Sequence, residues 1–201
     1  MEAEGGGVEV QVGVEEGKGS WREADQGGGT GGGRACQIVE PFPEMTVAEN
    51  VAAAAMFAGA VRYGREAEAE ALEHLRFVGL AEMADKRAAS LTLAMRKRLE
   101  LAKGLAMHPK LLLLDEVNAG LNATEVDHAL ALIRGIAARG VTILIIEHLM
   151  KVVLSLCTRI VVLHHGELIA SGAPETIVKD PRVIQAYLGR RYATGGQAAN
   201  G

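Results

Sequence analysis

Cysteine is nearly missing from this chain. Cys36 and Cys157 stand alone, with no CxxC spacing, which excludes a disulfide framework or a cysteine-built zinc site and fits reduced thiols. Aromatic residues supply 3% of the sequence against 49% hydrophobic residues in all, so any core is aliphatic. An excess of base is missing too. Residues 1–35 hold seven acids and three bases, and the remainder holds eighteen of each. No basic face announces nucleic acid, so no nucleic-acid partner is expected. Long apolar runs are also lacking. The longest, Val51 to Val61, is about half the ~20 residues that a membrane-spanning helix needs. The first residues are acidic and glycine-rich rather than basic and then apolar, so they do not read as a signal peptide. These absences describe a soluble, cytosolic chain whose 201 residues suit one domain, or one domain with a tail.

What is present is concentrated in one stretch, Lys110-Leu-Leu-Leu-Leu-Asp115-Glu116-Val117-Asn118-Ala119-Gly120-Leu121-Asn122. Four leucines in a row read as a strand buried on both faces of a parallel sheet. Two carboxyls have no place inside such a strand and belong at its carboxyl end, where open α/β sheets bind their ligands. There Asp115 would reach a hydrated Mg²⁺, and Glu116 would polarise a water.

The rest of the chain can be read in order. Residues 1–33 form a Gly/Glu-rich leader that cannot bury enough apolar area to offset its ordering entropy, although Val8, Val10, Val12 and Val14 alternate as in a short edge strand. Thr46 with Glu49 has capping-box spacing and starts a helix that runs to about Ala60. Arg65 to Val78 is a second helix, closed by Gly79, and its Glu-Ala run at 66–71 reads as a solvated face. Thr92 caps a third, Leu93 to Met107, which His108-Pro109 ends. After the leucine strand, Thr124 to Ala138 is helical. Val141 to Ile146 is a second buried strand that also ends in polar residues, Glu147-His148. A short helix at 149–156, a hairpin over 159–170 and two short helices after Pro174 and Pro181 complete an ordered region at 34–190, with a helical subdomain at about 46–107 and a flexible tail at 191–201. The fold class is α/β with a parallel core sheet. In a parallel sheet the carboxyl ends share one edge, so Asp115, Glu116 and His148 should converge. His164-His165 with Glu167 lacks a fourth ligand and is not read as a metal site; His74, His108 and His128 read as surface residues.

The succession of the Gln37 loop, Leu91-Thr-Leu-Ala-Met-Arg-Lys-Arg98, Leu-Leu-Leu-Leu-Asp115-Glu116, Ala119-Gly-Leu-Asn122 and Ile146-Glu-His148 resembles ABC-transporter ATP-binding subunits over about residues 34–190. Gln37-Ile-Val-Glu-Pro-Phe-Pro-Glu-Met-Thr-Val47 and Pro181-Arg-Val-Ile-Gln-Ala-Tyr-Leu-Gly189 resemble those of branched-chain amino acid importers. The resemblance implies a P-loop NTPase-like fold and ATP with Mg²⁺ as ligands. It makes Asp115 the Mg²⁺ holder and Gln37 a contact to Mg²⁺ and the attacking water. Glu116 becomes the general base, and His148 a hydrogen-bond donor to the γ-phosphate. Thr92 and Ala94 fall in the signature segment that reaches nucleotide, and Ala119, Gly120, Leu121 and Asn122 in the loop that touches a second ATP-binding subunit, identical or not. It further implies integral membrane permease subunits as partners and a cytoplasmic place on the inner face of the cell membrane.

The sequence departs from that pattern in three places. Leu93 and Ala94 stand where the family has glycines, adding bulk where backbone should approach phosphate. Val117 replaces a common proline. No Gly-x-x-x-x-Gly-Lys-[Ser/Thr] is present. The nearest match, Gly13-Val-Glu-Glu-Gly17-Lys18-Gly19-Ser20, is one residue short and has Gly19 where the hydroxyl belongs. Glu15 and Glu16 would repel phosphate, and Lys18 is only nineteen residues before Gln37, too few for the intervening strands. It is therefore not read as a phosphate loop. The abrupt change near Arg34 suggests that the amino-terminal part of the domain is missing or replaced, as a frameshift or misplaced start would do. Three functions compete: an ATP-hydrolysing importer subunit, a degenerate non-catalytic docking module, and an ABC-type ATPase acting on DNA or ribosomes. The long insertions expected of the last are absent.

Overall fold

The computed structural model describes residues 8–14, 32–34, 41–60 and 64–188. Gln37 and the tail 191–201 lie outside them, as do Glu15 to Ser20.

Two strands come from the leader, β1 (Val8–Val14) and β2 (Gly32–Arg34). Three helices follow. The first, α1 (Val47–Phe57), starts as its sequence predicts: Thr46 Oγ1 accepts from Glu49 N at 3.1 Å, and Glu49 Oε2 accepts from Thr46 N at 2.7 Å. Such a reciprocal cap satisfies two of the amides that a helix start leaves unpaired. The buried side chain of Asn50 holds the incoming segment, accepting from Phe42 N (2.9 Å) and donating to Phe42 O (3.1 Å). Next are α2 (Arg65–Phe77) and α3 (Leu93–Ala106). Ala55, Ala71, Leu75 and Leu99 are fully buried among these three helices. Small alanines let the helix axes approach closely, and the leucines supply the apolar area.

The remaining elements alternate: β3 (Leu111–Asp115), α4 (Ala123–Ala138), β4 (Thr142–Ile146), α5 (Met150–Leu156), β5 (Arg159–His164), β6 (Glu167–Gly172), α6 (Pro174–Ile177) and α7 (Pro181–Leu188). The six strands form one sheet in the order β2-β3-β4-β1-β5-β6, parallel throughout except for the β5–β6 hairpin. A parallel sheet with helices between its strands is the α/β class expected.

Two readings change. Val8–Val14 is not an edge strand but lies between β4 and β5, with Val10 opposite Ile145 on one side and Ile160 on the other. Alternating valines announce β-propensity; they say nothing of which backbone partners are available, and here both sides find one. Among the described residues β2, three residues long, lies between β1 and the Gln37 loop. The second change is in β3. Leu112 and Leu114 are buried, Leu113 is partly covered and Leu111 is exposed. One face is closed by α3, where a Cβ on Gly104 would stand 3.0 Å from Leu112 Cδ1; the described helices close the other only in part.

Candidate functional site

Parallel pairing sets Asp115 of β3 opposite Ile146 of β4. Glu116 leaves the strand at φ +43°, a conformation that side-chain-bearing residues avoid and that costs on the order of 1–3 kcal/mol. Its N–H nevertheless donates to Ile146 O at 2.9 Å, so the ladder holds for one residue beyond Asp115 while the chain turns away. From β4, two residues past Ile146, His148 brings Nδ1 to 3.4 Å from Glu116 Oε1. Both side chains keep a third to a half of their surface open, which leaves the pair accessible to a ligand from solvent. The convergence expected of Asp115, Glu116 and His148 is therefore present.

The electrostatics are one-sided. Burial raises the Asp115 pKa, the negative charges of Glu116 and Glu147 raise it further, and Lys97 opposes them. Lys97 Nζ also lies 3.5 Å from Glu116 O. Two carboxyls, Asp115 and Glu116, stand at this edge against one ammonium, with a third carboxyl, Glu147, buried beneath. A divalent cation would relieve the imbalance, and the carboxyl oxygens of Asp115 and Glu116 suit Mg²⁺.

A second polar pair lies beneath and was missed by sequence reasoning. Glu147 is 2% exposed and Asn118 is 1% exposed. Asn118 Nδ2 donates to Glu147 Oε1 at 2.8 Å, while Glu147 Oε2 accepts from His148 N (3.2 Å) and Leu149 N (3.3 Å). A buried carboxylate is tolerated only when donors surround it. This one spends its donors on joining the loop after β3 to the turn that carries His148. Glu147 was noticed only as a polar strand end, and nothing in the spacing of Asn118 and Glu147, twenty-nine residues apart, announces the contact.

The loop from Val117 to Asn122 is tightly folded. Ala119 N donates to Glu116 O (3.0 Å), Leu121 N donates to Asn118 O (3.2 Å), and Gly120 sits at φ +78°. Asn122 then caps α4 with Glu125 as its reciprocal partner. Facing this loop is the start of α3. Thr92 Oγ1 accepts from Met95 N at 3.3 Å, which is the capping role predicted. Leu93 is half exposed and reaches over the loop, with Cδ2 2.9 Å from where a Cβ on Gly120 would stand. Thr92 and Ala94 line a hollow of about 220 Å³ together with Lys97, Val117 and Leu121. The structure therefore brings Thr92 and Ala94 to the Ala119–Asn122 loop, and that loop to Glu116.

An ABC transporter family model covers residues 30–119, and a branched-chain amino acid ATP-binding cassette transporter model covers 167–193. The high-affinity branched-chain amino acid transport ATP-binding protein BraF of Pseudomonas aeruginosa is 40% identical over 170 residues, 78% of this chain and 67% of that protein. The chain belongs to the family of ABC-transporter ATP-binding proteins. LivG of Escherichia coli, also a high-affinity branched-chain amino acid transport ATP-binding protein, is 39% identical over 172 residues and equally covered. LptB of Acidithiobacillus ferridurans, a lipopolysaccharide export system ATP-binding protein, is 36% identical over 151 residues, spanning 75% of this chain and 62% of LptB. Among solved structures, the ADP conformation of MJ1267, an ATP-binding cassette of an ABC transporter, superposes with a TM-score of 0.69 at 27% identity, over 80% of this chain and 69% of that one. A nucleotide-free ATP-binding cassette gives 0.75 at 22% identity over 92% and 88%, and shares the fold. The family binds nucleotide. No helix among the described residues of this cassette is long and apolar enough to cross a membrane.

Proposed function

We propose that this cassette is the nucleotide-dependent subunit of an importer for branched-chain amino acids, acting beside a second ATP-binding subunit on integral membrane permease subunits at the inner face of the membrane. The observation that carries the reading is the meeting of Asp115, Glu116 and His148 at the shared carboxyl end of β3 and β4. The match over 167–193 favours branched-chain amino acids over the lipopolysaccharide role of LptB.

In this reading Asp115 would hold Mg²⁺, with Gln37 as a second contact. The cation would supply charge neutralisation at the phosphates. Glu116 takes the proton from the attacking water, and its backbone twist and the Glu147–Asn118 pair keep its carboxyl facing His148. His148 donates to the γ-phosphate. Thr92 and Ala94 address the nucleotide of the second subunit, and Ala119 to Asn122 touch that subunit. Phosphate grip is the weak part. Gly13–Ser20 continues from the central strand β1, but it is a residue short, lacks the hydroxyl and carries two glutamates. Nucleotide binding should be weak and turnover small. The test is uptake into proteoliposomes that hold the permease subunits and the second ATP-binding subunit. Adding this chain should raise ATP-dependent uptake of a branched-chain amino acid, and Glu116→Gln should abolish the gain. Uptake unchanged by the wild-type chain would sink the reading.

The second reading, a docking module without catalysis, draws on one observation: Leu93 covers Gly120 where the family pattern has glycine. It predicts that Glu116→Gln leaves the uptake gain intact.

A further inference from the structure

Away from the sheet edge, the helical layer contains a cluster that the proposed transport chemistry does not use. Glu70 and His74 lie one turn apart on α2, and so share a face. His108 follows α3, just before β3. His74 Nε2 lies 2.8 Å and His108 Nε2 lies 2.6 Å from the same oxygen, Glu70 Oε1. All three ligand atoms fall within 4.8 Å of one another. The sequence reading had both histidines on the surface and the Glu66–Ala71 run in solvent. In fact His74 is 7% exposed and Glu70 is drawn in to meet it.

Two features say that this is more than a chance meeting. The ring of His74 is buried with Nδ1 lacking any partner, so its only polar function in the fold is at Nε2, aimed at Glu70 and His108. A leucine would fill the same place without an orphaned nitrogen. His108 holds a left-handed backbone, φ +49°, at a helix end where glycine or asparagine is usual; the turn carries its ring onto Glu70.

We propose that Glu70, His74 and His108 form a site for a divalent transition-metal ion of the Zn²⁺ class. Two imidazoles and one carboxylate are a recurrent zinc donor set, and imidazole disfavours Mg²⁺ and Ca²⁺. A tetrahedral ion with bonds of about 2.0–2.1 Å holds its donors roughly 3.3 Å apart, so the His74–Glu70 and His108–Glu70 spacings of 2.8 and 2.6 Å would each lengthen by about 0.5–0.7 Å. His108 is the exposed member, which leaves the fourth position open to water. The site would clip α2 to the link between α3 and β3, fastening the helical layer to the strand that ends at Asp115. The Mg²⁺ expected at Asp115 uses oxygen donors alone, so the two ions do not compete.

The test is Zn²⁺ titration of the full chain after chelator treatment, by calorimetry, with Co²⁺ absorption as a coordination signature. One Zn²⁺ per chain is expected, with a rise in Tm on loading. Affinity should fall about tenfold or more in His108→Ala and in Glu70→Gln. The double variant His164→Ala, His165→Ala should bind as wild type. His108 is at the surface, so its loss should leave unfolding in chelator unchanged, and a misfolded Glu70 variant would not cloud the result. No binding, or equal binding by His108→Ala, overturns the proposal. So does loss of the ion in the His164/His165 variant. None of these outcomes depends on ATP, so they stand or fall apart from the transport reading.

Discussion

Two regions face each other across the loop from Val117 to Asn122, and they differ in what holds them. The carboxyl edge of β3 and β4 is self-supporting. Glu116 N bonds Ile146 O, Asn118 bonds Glu147, Glu147 bonds the turn at His148, and His148 returns to Glu116. Removing one member leaves a buried group unpaired, so the edge persists as a unit. The start of α3 is held by its Thr92 cap and by Arg96, which donates to Leu91 O and Ala89 O, while Leu93 and Ala94 stand where the resemblance expects glycines that approach a ligand on another molecule. Such positions can drift without harming the fold. The difference teaches that the edge at Asp115, Glu116 and His148 is fixed by groups that hold one another, whereas Leu93 and Ala94 sit at positions that the packing of the fold does not constrain.

Substitutions can break or sharpen this contrast. The largest effect is expected at Leu112, where α3 rests on β3 and both regions depend on the contact. Leu112→Ala should cost about 3 kcal/mol through lost burial and a residual cavity, read as a shift in urea midpoint at constant slope. Asn118→Leu should cost about 2 kcal/mol, because Glu147 Oε1 loses its buried donor; a neutral result would mean that the edge is not a unit. Gly120→Ala should cost about 1–2 kcal/mol from its positive φ and from Leu93. In a Leu93→Ala background part of that cost should vanish, and a double-mutant cycle measures the coupling. The smallest effect is at Asp115. Its folded pKa is raised, so its carboxyl penalises folding once ionised: stability falls as pH rises from the unfolded pKa through the folded one, and no penalty remains at lower pH. Asp115→Asn should therefore be slightly more stable than wild type at pH 8 without divalent ions and equal to it at pH 3. Mg²⁺ should raise the Tm of the wild type and not of the variant.

Much of this was legible in the residues. Caps with a mechanism, Thr46 with Glu49 and Thr92 before Leu93, placed α1 and α3 within a residue or two at their starts. The β-branched run at 142–146 and the leucines at 111–114 placed the parallel pair, and with it Asp115, Glu116 and His148. What stayed hidden depends on contacts distant in sequence. The strand at Val8–Val14 looked peripheral because alternation reports on faces and not on neighbours in the sheet. His74 looked like a surface residue because α2 is rich in charge, yet Glu70 and a residue thirty-four positions later turn that face inward. The Asn118–Glu147 pair is invisible until β3 and β4 are aligned.

The most direct measurement of the central claim is an equilibrium titration of the full chain with Mg²⁺-ATP. The proposed edge at Asp115 and Glu116, in a sequence with no Gly-x-x-x-x-Gly-Lys-[Ser/Thr], predicts affinity weaker than micromolar. A dissociation constant in the micromolar range would contradict it, by showing that the phosphates are gripped after all.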